Sequence, residues 1–134
     1  MRTRHINREV VLKKMAGKPI EVYSFFSGAG FLDLGFEKAG FDIVFVNEFN
    51  KQFLDVYQYA RRNNEKLPQY GYSNEDIRIF LSDENWCSRF PRYNDRTNKL
   101  IGFIGGPPCP DFSVAGKNEG ETGVNGQLTS VYVD

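Results

Sequence analysis

Runs of apolar residues alternate with segments of helical spacing along the first half of the chain. Residues 20–26 form a near-continuous apolar run, and "FLDLGFEKAG" follows with the spacing of a short helix that ends at Gly40. The apolar run repeats in "FDIVFVNEF", after which Asn50 can cap a helix that extends to about Asn64. The pattern therefore predicts the order strand, helix, strand, helix.

The second half of the chain is less regular. Residues 65–98 predict irregular structure, with "NEDIRIFL" as the main apolar cluster, before another buried-type strand over residues 100–104. Near-continuous apolar strands that alternate with helices are typical of a parallel sheet covered on both faces, the doubly wound arrangement. Ligands of such sheets bind beyond the carboxyl ends of the strands. Three features follow predicted strands here, namely residues 27–30, Glu48 and residues 105–109.

Composition limits the chain to one domain and excludes some classes of site. The 134 residues are 40% apolar, enough for one core, and 17 basic side chains balance 17 acidic ones, so net charge favours neither a nucleic acid nor a membrane. Two cysteines, Cys87 and Cys109, with His5 far from both, form neither a disulfide framework nor a metal site. The apolar runs are too short to span a membrane and the start of the chain lacks a signal-peptide core, so we expect a cytoplasmic protein.

The stretch "FFSGAGFLDLG" has the glycine spacing of a tight turn that brings backbone amides close to a ligand. A dinucleotide fingerprint needs a third glycine where this chain has Asp33, which argues against a pyrophosphate ligand such as that of NAD. Glu48 lies 20 positions after Gly28 and can accept hydrogen bonds from ribose hydroxyls. The pattern favours an adenosine-type ligand, although Gly28 and Gly30 could also form a turn without a ligand, beside a solvated Glu48.

The stretch "GGPPCPDFSVAG" holds Cys109 between residues that disfavour both helix and sheet pairing. A cysteine used only for packing is expected among apolar neighbours on a regular element. The rigid loop therefore predicts that the position of the Cys109 thiol matters more than its burial. Cys87, in "NWCSRF", has no such scaffold and is expected to serve packing or to lie at the surface.

These motifs resemble the N-terminal part of a DNA cytosine-5 methyltransferase. "SFFSGAGFLDLGFEKAGF" resembles the S-adenosylmethionine motif of that family, "NEF" its ribose-binding acid, and "GGPPCPDFSVAG" its catalytic Pro-Cys motif, in the family's order. The resemblance implies an α/β, Rossmann-like S-adenosylmethionine-dependent methyltransferase fold with an incomplete doubly wound parallel sheet. It assigns residues 20–134 to the catalytic domain and leaves residues 1–19 as an N-terminal extension, with a peripheral helix expected over residues 7–16.

The resemblance also implies a function and a set of site residues. The family transfers a methyl group from S-adenosylmethionine to carbon 5 of cytosine in DNA and releases S-adenosylhomocysteine, here most simply in a bacterial restriction-modification system. Phe26 and Phe49 would contact the adenine, Glu48 the ribose, Asp76 the adenine amino group and Ile77 the adenine ring. The cofactor-binding set is completed by Ser27, Gly28, Ala29, Gly30 and Pro107.

In this family a cysteine thiolate adds to carbon 6 of an extruded cytosine, which activates carbon 5 toward the methyl group. The resemblance gives this role to Cys109, with Pro108 beside it in the catalytic motif. Ser113 would bind a DNA phosphate, and Pro110 stands where most members have a glutamine that contacts DNA. A second departure is Ser24, where many members have an aspartate.

The family's catalytic glutamate, its target-recognition region and its closing helix all follow the catalytic loop, and the sequence stops at Asp134. We therefore expect this chain alone to be inactive and to act with a C-terminal part, in cis or as a second polypeptide. The alternatives are a non-catalytic S-adenosylmethionine-binding subunit of a split methyltransferase and a Rossmann-type oxidoreductase, which would leave the Pro-Pro-Cys loop without a role.

Overall fold

The described residues fold into strands and helices that alternate along the chain. The computed structural model describes residues 19–63, 66–82, 100–108, 127–128 and 131–132. The elements in chain order are β1 (Glu21–Phe25), α1 (Phe31–Lys38), β2 (Asp42–Asn47), α2 (Lys51–Arg61), β3 (Tyr72–Ser73), α3 (Arg78–Ser82) and β4 (Ile101–Gly105). The helix expected over residues 7–16 lies outside the described residues, as do most of residues 1–19.

The strands pair in the order β3-β2-β1-β4, and every pairing is parallel. The chain moves outward from β1 to β3 on one side and then returns to place β4 on the other side of β1. Doubly wound sheets bind their ligands beyond the carboxyl ends of the strands at such a reversal point. The prediction of a parallel α/β sheet is confirmed, and the turn after β1 lies at this reversal point.

Each face of the sheet has its own apolar core, because successive side chains of a strand point to opposite faces. On one face α2 contributes Leu54 and Tyr57 to a cluster with the three strands β1, β2 and β4, and α1 adds Phe36 at its margin. On the other face Phe80 of α3 joins Tyr23, Phe25 and Phe45, with the helical residues 128, 131 and 132 packed against them. The sheet is therefore covered on both faces, as the apolar pattern predicts.

Three details of the fold differ from the sequence-based expectation, and one is that the short helix α3 forms within residues 65–98. Residues 72–73 form a strand inside the segment expected to be irregular, and they pair with Val46 and Asn47. The sequence does not predict this strand, because two residues are too few to make a recognisable pattern. The second helix ends at Arg61 rather than near Asn64. Its start is as predicted, since the Asn50 side chain accepts hydrogen bonds from the amides of Gln52 and Phe53.

Candidate functional site

The predicted ligand-binding residues follow three neighbouring parallel strands and meet at one edge of the sheet. The glycine turn (residues 26–30) follows β1, Glu48 follows β2, and the chain leaves β4 at Gly105 toward Pro107 and Pro108. The turn is joined to the end of β2 by a hydrogen bond of 3.2 Å from the Ser27 amide to the Asn47 carbonyl. The sheet therefore brings together residues that are far apart in the sequence.

The glycine turn has an unusual backbone. Gly28 and Gly30 have φ values of 56° and 86°, and Phe26 has φ 49°, although a bulky side chain rarely adopts this left-handed region. Such strain persists where the surrounding structure holds it, and it is found most often at functional sites. The Phe26 ring packs edge-on against Tyr132, with ring centroids 6.1 Å apart. The turn is thus held in a conformation that an unconstrained segment would rarely adopt.

Ser27 adds an unsatisfied hydroxyl to the glycine turn. Its side chain is buried, yet Oγ has no hydrogen-bond partner among the described residues. The N-cap residue of the helix that follows is Gly30, which provides no side-chain cap. An α-helix leaves the amides of its first turn without helical partners, and these amides favour an anionic or polar ligand. The turn therefore presents unsatisfied hydrogen-bonding groups where the sequence predicts a cofactor.

Glu48 connects the glycine turn to the start of α2. Its Oε2 atom accepts a hydrogen bond of 2.8 Å from the Gly28 amide, and its Oε1 atom accepts one of 2.7 Å from the Asn50 amide. The side chain is buried. Each carboxylate oxygen can still accept a second hydrogen bond. A solvated Glu48 is therefore ruled out, and its role as a brace was not anticipated from the sequence.

Asn74 is a further residue of the site that the sequence analysis missed. Its side-chain amide donates hydrogen bonds of 2.8 Å to the carbonyl oxygens of both Glu48 and Phe49. This contact holds the turn after β2, from which the Phe49 ring projects with two thirds of its surface exposed (66%). A polar residue in a loop after a two-residue strand gives no pattern in the sequence, so only the paired strands reveal the contact.

Asp76 and Ile77 are engaged with other parts of the protein. The Asp76 carboxylate accepts hydrogen bonds from the backbone and guanidinium of Arg78, and the guanidinium holds the pKa of that carboxyl below its usual range. The Ile77 side chain is buried in the core cluster that contains Phe80. An adenine contact from either residue stays a prediction, and for Asp76 the ligand would compete with Arg78.

A buried polar network lies behind the glycine turn. Asp33 is fully buried, and its carboxylate accepts hydrogen bonds from Ser24 Oγ at 2.7 Å and from Tyr57 Oη at 2.8 Å. The Arg61 guanidinium lies 4.0 Å from the centre of the Tyr57 ring and donates a hydrogen bond of 2.9 Å to the Gly30 carbonyl oxygen. The network therefore links β1, α1, α2 and the turn.

Asp33 has a different role from the one the sequence suggested. Its carboxylate faces Ser24 and Tyr57 in the interior, so it does not repel an anionic ligand at the turn. The apolar pattern of α1 conceals this arrangement, because Phe31, Leu32 and Leu34 are exposed while Asp33 is buried. A buried acid among exposed apolar residues is the reverse of an amphipathic helix, and only its packing against α2 explains it.

We expect the stability difference between the unsubstituted chain and Asp33→Asn to depend on pH. Burial raises the pKa of Asp33, and the opposing hydrogen bonds from Ser24 and Tyr57 and the charge of Arg61 do not reverse this. A carboxyl whose pKa is raised on folding favours the native state at low pH and loses that contribution as the pH rises through its native-state pKa. The asparagine does not titrate and can keep both hydrogen bonds, since the Tyr57 hydroxyl can accept as well as donate.

Urea unfolding of both proteins from about pH 4 to pH 7 tests this expectation. The free energy of unfolding of the unsubstituted chain minus that of Asp33→Asn should fall as the pH rises. Other titrating groups contribute equally to both proteins and cancel. A difference that grows with pH would mean that the pKa of Asp33 is lowered by folding.

The catalytic loop is described only at its start. Pro107 and Pro108 are half-buried just beyond β4, whereas Cys109, Pro110, Ser113 and Cys87 lie outside the described residues. A side chain at Gly105 would come within 2.9 Å of the Phe25 carbonyl oxygen and of the Tyr132 ring. The chain therefore leaves the sheet through a close contact with β1, on the edge where the glycine turn lies.

Comparison with known proteins identifies the family. The family model for the C-5 cytosine-specific DNA methylase matches residues 20–134. The chain belongs to the C-5 cytosine-specific DNA methylase family. The resemblance noted from the sequence is thereby confirmed, and within the part of the family domain described here the turn after β1 and the exit of β4 share one edge of the sheet.

Similar type II methyltransferases show what share of a relative's length this chain covers. It is 45% identical over 131 residues to the type II methyltransferase M.NmeDI of Neisseria meningitidis serogroup C, covering 96% of this chain and 31% of that protein. It is 38% identical to M.FnuDI of Fusobacterium nucleatum, covering 85% of this chain and 28% of that protein. The chain thus spans about three tenths of the length of these relatives.

A solved structure of a methylase agrees with the fold. The chain superposes on the crystal structure of a protein described as a DNA modification methyltransferase encoded within a prophage (E. coli), with a TM-score of 0.56 and 26% sequence identity. The match covers 84% of this chain and 27% of that one. The Rossmann-like fold expected of a methyltransferase is confirmed.

Two classes of feature are absent from the part of the chain that the structure describes. Among those residues, no three histidine, cysteine, aspartate or glutamate side chains are grouped so that they could hold a metal ion. None of the described helices is long and apolar enough to cross a membrane.

Proposed function

We propose that this chain supplies the cofactor-binding part and the nucleophile of a DNA cytosine-5 methyltransferase of a restriction-modification system. The observation that carries the proposal is the meeting, at one edge of the sheet, of the glycine turn braced by Glu48 and the strand that leads into the Pro-Cys sequence. In this arrangement a cofactor held at the turn would lie at the edge of the sheet from which the chain continues toward Cys109. The substrate of the proposed reaction is a cytosine in DNA.

The cofactor of the proposed reaction is S-adenosylmethionine, and the residues at the turn fit it. Glu48 keeps acceptor capacity for ribose hydroxyls, because each of its oxygens accepts only one backbone hydrogen bond. The exposed ring of Phe49 can stack on adenine. The Ser27 hydroxyl, which has no hydrogen-bond partner among the described residues, can bond a polar group of the ligand. The Asp33 carboxylate is turned into the interior, so it does not by itself exclude the pyrophosphate of NAD. The preference for S-adenosylmethionine over NAD therefore rests on family membership.

The bound cofactor supplies an electrophilic methyl group, and the residues of this chain prepare the base to accept it. Cys109, as the thiolate, adds to carbon 6 of an extruded cytosine, so that a carbon–sulfur bond forms and carbon 5 becomes nucleophilic. After carbon 5 has accepted the methyl group, a base removes its proton and the C5–C6 double bond re-forms. The carbon–sulfur bond breaks with its electron pair on sulfur, which frees the Cys109 thiolate. Pro107 and Pro108 limit the freedom of the loop, which favours an attack geometry prepared in advance.

Replacement of Glu48 by alanine should weaken the binding of S-adenosylhomocysteine, the product of the proposed reaction. The substitution removes the ribose acceptor and also the brace on the Gly28 amide. Loss of a charge-assisted hydrogen bond costs about 1.5–3 kcal/mol, so we expect the Kd measured by calorimetry to rise at least about tenfold.

Glu75→Ala is the matched control for this experiment. It removes an exposed carboxylate from the loop after β3, and the Kd should stay within about twofold of the unsubstituted chain, as for other exposed charges. An unchanged Kd in Glu48→Ala would remove Glu48 from the cofactor site.

A chimera tests the proposed reaction as a whole. The chain is 45% identical to a segment of 131 residues in the Neisseria meningitidis methyltransferase, so the chimera is designed with this chain in place of that segment. The chimera should transfer radiolabelled methyl groups from S-adenosylmethionine to carbon 5 of cytosine in DNA, as detected in hydrolysed product. Absence of transfer by a folded chimera that binds the cofactor would contradict the proposal.

A further inference from the structure

The proposed cofactor site gives no role to a buried arginine of α2. Arg61, on the last turn of α2, is 7% exposed, and its guanidinium is almost entirely removed from water. Burial of an arginine is costly unless its donors are paired, so the partners of this guanidinium indicate what the residue does. These partners form two separate branches.

One branch leads to α1. Arg61 Nε and Nη2 donate hydrogen bonds of 3.3 and 3.1 Å to the two carboxylate oxygens of Glu37. This fork joins the end of α2 to the last turns of α1 on the outside of the protein, where the Glu37 side chain is 30% exposed. The Glu37 branch therefore stabilises the packing of two helices and does not contact the glycine turn.

The other branch leads to the glycine turn itself. Arg61 Nη2 donates a hydrogen bond of 2.9 Å to the Gly30 carbonyl oxygen, which also accepts the first hydrogen bond of α1, from the Leu34 amide at 3.0 Å. The Gly30 amide in turn donates to the Ser27 carbonyl oxygen at 2.9 Å and closes the turn. Because a peptide unit is planar, a fixed Gly30 carbonyl also fixes the direction of the Phe31 amide, which is in the same unit.

The packing around Gly30 leaves the turn little freedom. A Cβ atom at Gly30 would lie 2.5 Å from the Tyr57 ring and 2.6 Å from Arg61 Nη1. The guanidinium lies 4.0 Å from the centre of that ring, and Asp33 holds the Tyr57 hydroxyl. Tyr57 and Arg61 therefore form a rigid support against one side of the turn, while Glu48 braces it through the Gly28 amide.

We propose that Arg61 is a positioning residue that holds the glycine turn in the conformation that receives the cofactor. The inference rests on the proposed function, because it takes S-adenosylmethionine or its demethylated product as the ligand of the turn. Arg61 acts through the Gly30 carbonyl and does not touch the ligand. Its contact with Glu37 is a separate, structural contribution.

Variants of the two branches separate positioning from stability. Arg61→Met replaces the arginine with an apolar side chain of similar length and removes both branches. Arg61→Lys keeps a charged donor for the Gly30 carbonyl oxygen. Glu37→Gln weakens only the branch to α1. Arg62→Met is the matched control, because Arg62 is exposed and its guanidinium lies over the Tyr59 ring. Calorimetry with S-adenosylhomocysteine is done at a temperature at which circular dichroism shows each variant to be folded.

Variants of the two branches are expected to differ in their affinity for S-adenosylhomocysteine. Arg61→Met should raise the Kd about tenfold or more, as loss of a charged hydrogen-bond donor predicts, and Arg61→Lys should recover most of that loss. Glu37→Gln should lower the melting temperature but leave the Kd within about twofold, and Arg62→Met should change neither. If the unsubstituted chain binds and Arg61→Met binds equally well, the positioning role is wrong and the proposed function stands.

Amide hydrogen exchange of the ligand-free chain gives a second readout, which also applies if Arg61→Met is too unstable to assay. Arg61→Lys keeps a weaker hold on Gly30, so its Gly30 amide should exchange modestly faster than in the unsubstituted chain and more slowly than in Arg61→Met. The core amide of Val44 should be unchanged, because only the turn is loosened. Equal acceleration at both positions would indicate global destabilisation and overturn the proposal. If the unsubstituted chain does not bind S-adenosylhomocysteine, the proposed function is wrong. The positioning role of Arg61 is then wrong as well, because the turn has no such ligand.

Discussion

Gly30→Ala is expected to destabilise the protein more than Gly28→Ala, although both glycines have positive φ values. At φ 86° an alanine costs about 1–2 kcal/mol, because its Cβ crowds the neighbouring carbonyl. That Cβ would also lie 2.5 Å from ring atoms Cδ2 and Cε2 of Tyr57, which is fully buried and hydrogen-bonded to Asp33. Overpacking against a side chain that cannot move adds about 1–3 kcal/mol.

Together the two effects lower the free energy of unfolding by about 2–5 kcal/mol, a large part of the stability of a small domain. Urea unfolding followed by circular dichroism measures the change. Gly28→Ala is the matched control, because Gly28 has φ 56° but open space around its Cα, so only the backbone cost of about 1–2 kcal/mol applies. Equal losses in the two variants would mean that Tyr57 and Arg61 can move away from the turn.

Gly35→Ala tests the same reasoning in the opposite direction. Gly35 is in α1 with nothing within 4 Å of a Cβ and without the positive φ of the turn. Alanine in a helix interior is more stable than glycine by about 0.5–1 kcal/mol, so this variant should gain stability. The three glycines thus separate helix propensity, backbone conformation and packing.

Cys109→Ser should abolish methyl transfer by the chimera with the Neisseria meningitidis relative. The thiolate is the nucleophile of the proposed reaction, and an ordinary thiol, with a pKa of about 8.5, ionises far more readily than a serine hydroxyl. Without addition to carbon 6, carbon 5 of cytosine is not activated, so the remaining activity should be at background. Binding of S-adenosylhomocysteine should persist, because the glycine turn and Glu48 are unchanged.

Covalent capture gives a direct readout of the nucleophile. In the presence of S-adenosylmethionine, DNA that carries 5-fluorocytosine should form a stable adduct with the chimera. After methyl transfer, carbon 5 carries fluorine in place of the proton whose loss releases the enzyme. Mass spectrometry should locate the adduct on Cys109, and Cys109→Ser should form none. Cys87→Ser is the matched control and should be captured like the unsubstituted protein. Capture of Cys109→Ser would assign the nucleophile to another residue.

Much of the fold and of the site could be predicted from local sequence. The apolar runs of β1, β2 and β4, the glycine turn and the Asn50 cap each depend on a few consecutive residues, whose conformational preferences act within one turn or one strand. The motif spacing likewise placed Glu48 after a strand, on the same edge as the glycine turn. These features could be predicted because each depends on a short strand rich in apolar residues or on a local turn or cap motif.

Only the tertiary structure decided what the polar residues of this site contact. Glu48 braces Gly28 across 20 positions, Tyr57 donates to Asp33 across 24, and Asn74 holds the Phe49 carbonyl across 25. Such contacts depend on the register of parallel strands and on how α2 packs against α1, and neither is encoded in a local pattern. An acid such as Asp33 looks solvent-facing in the sequence and is buried here, because the partners that satisfy it come from other elements of the fold.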